Sequence, residues 1–280
     1  MNLNKFKKDK MKKNIFVILL SFLSVATLSA QTPNPFTIGE IKIIKSLILD
    51  ENRTLNIYLP DGYNDKATYP VIYLLDGSAN EDFLHIVGLV QFYNMTFNMP
   101  KTIVVGIANV DRKRDFTFPI KNTELKKKYP TTGGSAKFID FLEKELQPYI
   151  KINYKTNDST YLIGQSLGGL VASEILLKKP DLFSNYIIVS PSLWWDDESL
   201  LKQAPALLAG QPDNKKWVYV SVGAEGKEME EGAAGLVKAI KNSGKKNMKI
   251  DFVPLPKENH ATILHNSIYE ALNLLYPYKE

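Results

Sequence analysis

The sequence predicts a doubly wound α/β fold: a mostly parallel eight-stranded sheet, helices on both faces, and an antiparallel hairpin at its start. Three observations carry this. Short unbroken apolar runs recur along the chain, as strands buried on both faces require. Amphipathic helical patterns separate them, which is the rhythm of parallel strands joined by crossovers. Apolar residues make up 44% of the 280 positions, enough for the core of one domain of this class.

The elements follow in order. "EIKIIKSLILDENRTLNIYLP" reads as two strands around a turn at Asp50-Glu51-Asn52, and the alternation in Leu55–Leu59 marks a half-exposed hairpin. "YPVIYLLDG", "KTIVVGIAN", "STYLIGQS", "NYIIVSPS", "KWVYVSVG" and "MKIDFVPLP" supply six more strands. Helical patterns lie at 81–97, 133–150, 168–183, 198–210, 227–244 and 261–276. Residues 110–132 form the longest connection without a pattern of its own, and loops of that length in compact domains are commonly functional.

The net charge of +5 invites a nucleic-acid reading, but six Lys and one Asp in residues 1–30 account for all of it. Residues 31–280 hold 29 basic and 29 acidic side chains, so no phosphate-binding surface is implied. From Met11, an alternative start, the chain reads as a secretory leader. Lys12 and Lys13 precede the apolar stretch Ile15–Ala26, and Leu28-Ser29-Ala30 offers a cleavage site. That stretch is short for a spanning helix. Residues 1–30 are therefore expected to be a signal peptide, residues 31–280 a single domain, and the mature protein secreted or periplasmic, with no stable membrane anchor. The chain has no Cys, which excludes disulfides, thiol nucleophiles, Cys-zinc sites and a lipidated Cys.

The chemistry is expected at "YLIGQSLGGLVASEILL". Gly-x-Ser-x-Gly is a permissive pattern alone, but here a strand enters it and a helix leaves it. Such a turn strains the serine backbone and exposes its hydroxyl, and glycines at 164 and 168 would let strand and helix approach. Ser166 is the expected nucleophile. In the α/β-hydrolase order, nucleophile, acid and histidine follow one another along the chain. Of the three His, His85 precedes Ser166 within a helical pattern and His265 lies inside the closing helix. His260 follows the last strand, at the sheet edge that carries Ser166, and is the expected base. The acid should follow "KWVYVSVG". Glu225 is nearest, Glu228 is the fallback, and Asp196 or Asp197 is a third choice. Oxyanion donors are expected from the Leu167 amide and from Gly77 or Ser78 after the third strand, where Asp76 shapes the turn. Trp194 and Trp195 are candidates for a substrate wall. Arg112 and Arg114 would either hold a substrate anion or brace their loop through Asp115.

In their order, "YPVIYLLDG", "RKRDFTF", "GQSLGGL", "SPSLWW", "SVGAEGKE" and "ENHATI" resemble the putative-esterase family. That family includes S-formylglutathione hydrolase (esterase D), feruloyl and acetylxylan esterases, and enterochelin esterases. The likeness spans about residues 36–277 and is nearest to exported enterochelin-esterase-like hydrolases. It implies an α/β-hydrolase fold and serine-esterase chemistry without metal or organic cofactor. It also implies roles for Ser166, His260 and Glu225 as nucleophile, base and acid, although some relatives manage with a dyad. The expected partner is a small-molecule or polysaccharide-linked ester. A serine peptidase, an acyltransferase, or an inactive ligand-binding version of the fold are the competing readings.

Overall fold

The computed structural model describes residues 34–278 and the isolated positions 7, 8 and 11. Apart from those three positions, the leader expected over 1–30 lies outside the described residues, as does its cleavage site. The chain divides into two units after Thr37, and the sheet and its helices belong to the unit beginning at Ile38.

Eight strands form one sheet: β1 (Glu40–Ser46), β2 (Glu51–Tyr58), β3 (Tyr69–Leu74), β4 (Ile103–Ile107), β5 (Thr156–Gln165), β6 (Asn185–Val189), β7 (Lys216–Gly223) and β8 (Met248–Leu255). Their order is β1-β2-β4-β3-β5-β6-β7-β8. The β1–β2 and β2–β4 pairs are antiparallel, and every other pair is parallel. The structure thus has the predicted α/β-hydrolase-type architecture: a mostly parallel sheet opened by an antiparallel hairpin.

The unalternating strands are explained by two cores. Val71, Tyr73 and Leu75 of the β3 segment face one apolar layer, and Ile72 and Leu74 face the other. The first layer is covered by α4 (Ser135–Phe141), its continuation α5 (Gln147–Asn153), α6 (Leu167–Lys178), α7 (Trp195–Ala209) and α8 (Lys227–Asn242). The second is covered by α1 (Phe83–Thr96) and α9 (Ile263–Leu275). A strand buried on both faces has no polar face to alternate with.

The connection 110–132 is more ordered than its sequence pattern indicates. It holds two short helices, α2 (Arg112–Asp115) and α3 (Thr123–Lys128), capped by the side chains of Asp111 and Asn122. Helices of four and six residues are too short to show a 3.6-residue period. The α7 helix carries a second departure: Asp196, Asp197 and Glu198 have φ of 51°, 55° and 60°, so regular helix starts only after them.

The strand order sets up the site. After β3 the chain crosses outward to β4, then returns past β3 to place β5 on its other side. The loop after β3 therefore lies beside the end of β5, and Leu75 N donates to Ile163 O at 3.0 Å. This reversal point is where open parallel sheets form a crevice at their carboxyl edge.

Candidate active site

Ser166 links β5 to α6 with φ 61° and ψ −120°, a backbone region that favours glycine. Its position is held from both sides. Ser166 N donates to Val189 O at 3.1 Å, and Leu170 N donates to Ser166 O at 2.9 Å. A Cβ at Gly164 would run into the Gly168 carbonyl, and one at Gly169 would lie 2.9 Å from Pro191 Cα. At Gly168 itself a Cβ would meet only side chains, with Asp76 Oδ2 at 3.3 Å. The glycines that backbone contact requires are thus Gly164 and Gly169, whereas the sequence pattern points to Gly164 and Gly168. Two further non-glycine residues past strand ends, Asp76 (φ 54°) and Ser190 (φ 42°), share the left-handed geometry. Backbone strain gathers along one edge of the sheet.

Glu225 and His260 meet there. His260 Nδ1 lies 2.5 Å from Glu225 Oε2. The Glu225 side chain is 3% exposed and that of His260 48%. The other carboxylate oxygen accepts from Ser190 Oγ at 2.5 Å and from Gly223 N at 3.1 Å. Glu230 Oε1 in turn accepts the amides of Glu225 and Gly226. With Nδ1 donating to the carboxylate, Nε2 is the free nitrogen of the His260 ring. Gln165 Nε2 donates to His260 O at 2.5 Å and ties the imidazole loop to the Ser166 turn. Ser166 Oγ lies 3.4 Å from Ser192 Oγ and makes no hydrogen bond to His260 among the described residues.

The alternative acids stand elsewhere. Glu228 is exposed in the first turn of α8. Asp196 Oδ1 accepts the Lys121 and Asn122 amides at 2.8 and 3.2 Å, which occupies it in holding that loop. Asp197 is exposed. His85 and His265 face one another on α1 and α9, with ring centroids 6.0 Å apart.

The turn after β3 is clamped. Gly77 N donates to Ile107 O at 3.0 Å and Gly77 O accepts from Asn56 Nδ2 at 2.7 Å. A Cβ on Gly77 would also sit 2.6 Å from Ile107 N, so this residue must be glycine to pass β4. With its N–H already donated, Gly77 does not serve as an oxyanion donor, and of the expected pair Ser78 is left. Leu167 is the first residue of α6, so its amide has no partner within the helix.

The arginines correct an expectation. The sequence leaves Arg112 and Arg114 as possible substrate ligands, but both are engaged. Arg112 grips Asp76 with two nitrogens, at 2.6 and 2.9 Å, and reaches Gln165 O at 3.3 Å. Asn109 Nδ2 adds a third bond to Asp76, at 2.6 Å. Arg114 pairs with Asp115 at 2.8 Å and with both oxygens of Glu51, at 2.6 and 3.0 Å. Asp115 also bonds the fully buried Arg53 at 2.6 Å. Both arginines brace the loop, and their forked donors match carboxylates of the protein itself.

Trp195 is a second correction. It is 1% exposed and packs near Tyr129 and Trp194, so it anchors the loop and walls no substrate. Trp194 is only partly buried and remains accessible. Sequence reasoning missed Gln165, Ser190 and Ser192. The signal present was the "SPS" that follows β6, the strand beside β5. Among the described residues, no group of three or more His, Asp or Glu is arranged to hold a metal ion.

Known proteins resemble this chain over most of its length. The chain is 30% identical over 271 residues to the ferri-bacillibactin esterase BesA of Bacillus subtilis, covering 88% of this chain and 93% of that protein. An IroE-like serine hydrolase from Shewanella oneidensis superposes with a TM-score of 0.76 at 30% identity, over 85% of this chain and 80% of its own. The BES protein of Bacillus cereus superposes at 0.78 with 28% identity, over 89% and 99%. The family model described as putative esterase matches residues 46–260. The chain belongs to the putative esterase family.

Proposed function

We propose that this esterase family member hydrolyses carboxylic esters through an acyl-enzyme on Ser166, with His260 as general base and Glu225 as the acid that orients it. The observation that carries this reading is the buried Glu225 carboxylate against His260 Nδ1, at the sheet edge that bears the strained Ser166 turn. His260 Nε2 takes the Ser166 proton as Oγ attacks the ester carbonyl. The amides of Leu167 and Ser78 hold the resulting oxyanion, at the positive end of α6. The alcohol leaves with the proton that His260 returns. Water, activated by the same imidazole, then releases the acid. Glu225 stabilises the imidazolium formed in both halves.

For the substrate we favour a siderophore-type ester, because a ferri-bacillibactin esterase is among the relatives of this chain. Feruloyl, acetyl-polysaccharide and small acyl esters are the alternatives. We further propose export after loss of the leader, leaving residues 31–280 as the mature domain. Among the described residues, no helix is long and apolar enough to cross a membrane.

The test is labelling with a fluorophosphonate probe, followed by an ester panel on protein starting at Gln31. Labelling of the wild type, its loss in Ser166→Ala, and turnover of a ferric catecholate lactone above methyl ferulate and p-nitrophenyl acetate are expected. Failure of the wild type to label would sink the serine mechanism. Preferential turnover of methyl ferulate would sink the siderophore assignment alone.

A further inference from the structure

The segment Ser190-Pro191-Ser192 touches both ends of the proposed triad. Ser190 Oγ holds Glu225, while Ser192 reaches the nucleophile. Ser192 N donates to Ser166 O at 3.0 Å, so the backbones of the two serines are in register. Pro191 is seated against Gly169, the residue that must lack a Cβ. Ser192 is 3% exposed, and among the described residues the one hydrogen bond of its hydroxyl is to Ser166 Oγ, 3.4 Å away. A buried hydroxyl with a single side-chain partner is directed at that partner.

We infer that Ser192 is a positioning residue for the nucleophile, its hydroxyl donating to Ser166 Oγ throughout the reaction. This rests on the serine-esterase reading. The direction of the bond follows from proton counting. A hydroxyl carries one hydrogen, and that of Ser166 must go to His260 Nε2. In the Ser166–Ser192 contact the hydrogen therefore belongs to Ser192. When Oγ attacks, the Ser166 O–H bond breaks, its proton moves to the imidazole, and the oxygen electron pair forms the bond to the carbonyl carbon. The Ser192 O–H bond stays intact. Its donation strengthens while Oγ carries developing negative charge and weakens once Oγ is an ester oxygen. When the acyl group departs, Oγ regains charge and the bond tightens again. Ser192 thus favours the charged Oγ in both halves of the cycle without binding the substrate.

The test is Ser192→Ala, which removes one oxygen and adds no bulk. kcat and KM on p-nitrophenyl acetate are measured beside the second-order rate of inactivation by a fluorophosphonate, with thermal unfolding as a check on the fold. Loss of one hydrogen bond at the nucleophile should lower kcat and the inactivation rate together by about tenfold, with KM within about twofold. Three results overturn the inference: an unchanged kcat, a rise in KM alone, or a fall in ester turnover with an unchanged inactivation rate. An unreactive wild type defeats the Ser166 reading and this inference with it. A reactive wild type matched by Ser192→Ala defeats this inference only.

Discussion

His260 Nδ1 lies 2.5 Å from Glu225 Oε2, and the far side of that carboxylate is held by Ser190 and the Gly223 amide. That carboxylate is therefore fixed before any substrate arrives. If Glu225 orients the imidazole, Glu225→Ala should lower kcat by about 10⁴-fold, the loss seen when a triad acid no longer does so. Glu228→Ala should leave kcat within about twofold, since its side chain is exposed at a helix surface. Steady-state turnover of p-nitrophenyl acetate checks both. Loss of activity in Glu228→Ala alone would reverse the assignment.

The two loop arginines separate binding from bracing. Arg114→Ala should lower Tm by several degrees and leave KM within about twofold, because its partners are Glu51 and Asp115. Asp115→Ala should be worse, costing on the order of 3 kcal/mol, since it takes the buried carboxylate from the fully buried Arg53 and leaves it Glu51 and the Ala108 carbonyl as partners. Thermal melts beside substrate titrations read this. A raised KM with an unchanged Tm in Arg114→Ala would restore the substrate-binding role.

The two tryptophans should part in the same way. Trp195→Ala should destabilise by about 3–5 kcal/mol through the cavity it leaves. Trp194→Ala should keep most of the stability and raise KM for aryl esters by about tenfold, with less effect on acetate esters. Equal KM shifts for both ester classes would remove Trp194 from the substrate wall.

Asp82, at the start of α1, gives a pH signature. Burial, with Asp76 and Glu81 nearby, pushes its carboxyl up to about 6, against the pull of Arg112. The His85 ring, 3.5 Å away, is held toward its neutral form by burial and by His265. A carboxyl whose folded pKa lies above its unfolded value makes the folded chain bind more protons, so stability falls as pH rises from about 4 to 6. Asp82→Asn abolishes this and should exceed the wild type by on the order of 1 kcal/mol at pH 7, with little advantage at pH 4. Urea unfolding across that range is the measurement. Parallel stability curves for the two proteins would refute it.

Strand identity and the Ser166 turn are legible in the sequence because each is a local pattern, and the nearness of Glu225 and His260 is legible because each follows a strand at the same edge of the sheet. The placement of β4 outside β3 is not, since crossover order leaves no mark on residue periodicity. The same holds for the arginines. Asp115 beside Arg114 suggests bracing, but Glu51, 63 residues away, completes it, and Asp76 is 36 residues from Arg112. Trp194 and Trp195 are adjacent in a post-strand loop, and only the tertiary packing tells the accessible ring from the buried one.

The left-handed backbone of Ser166 has a thermodynamic consequence. Glycine would relax that position, and Ser166→Gly should raise stability by roughly 1 kcal/mol. The serine hydroxyl is therefore carried at a cost in fold stability. At this one position the fold and the hydroxyl pull in opposite directions, so a variant lacking the side chain is expected to melt higher than the wild type.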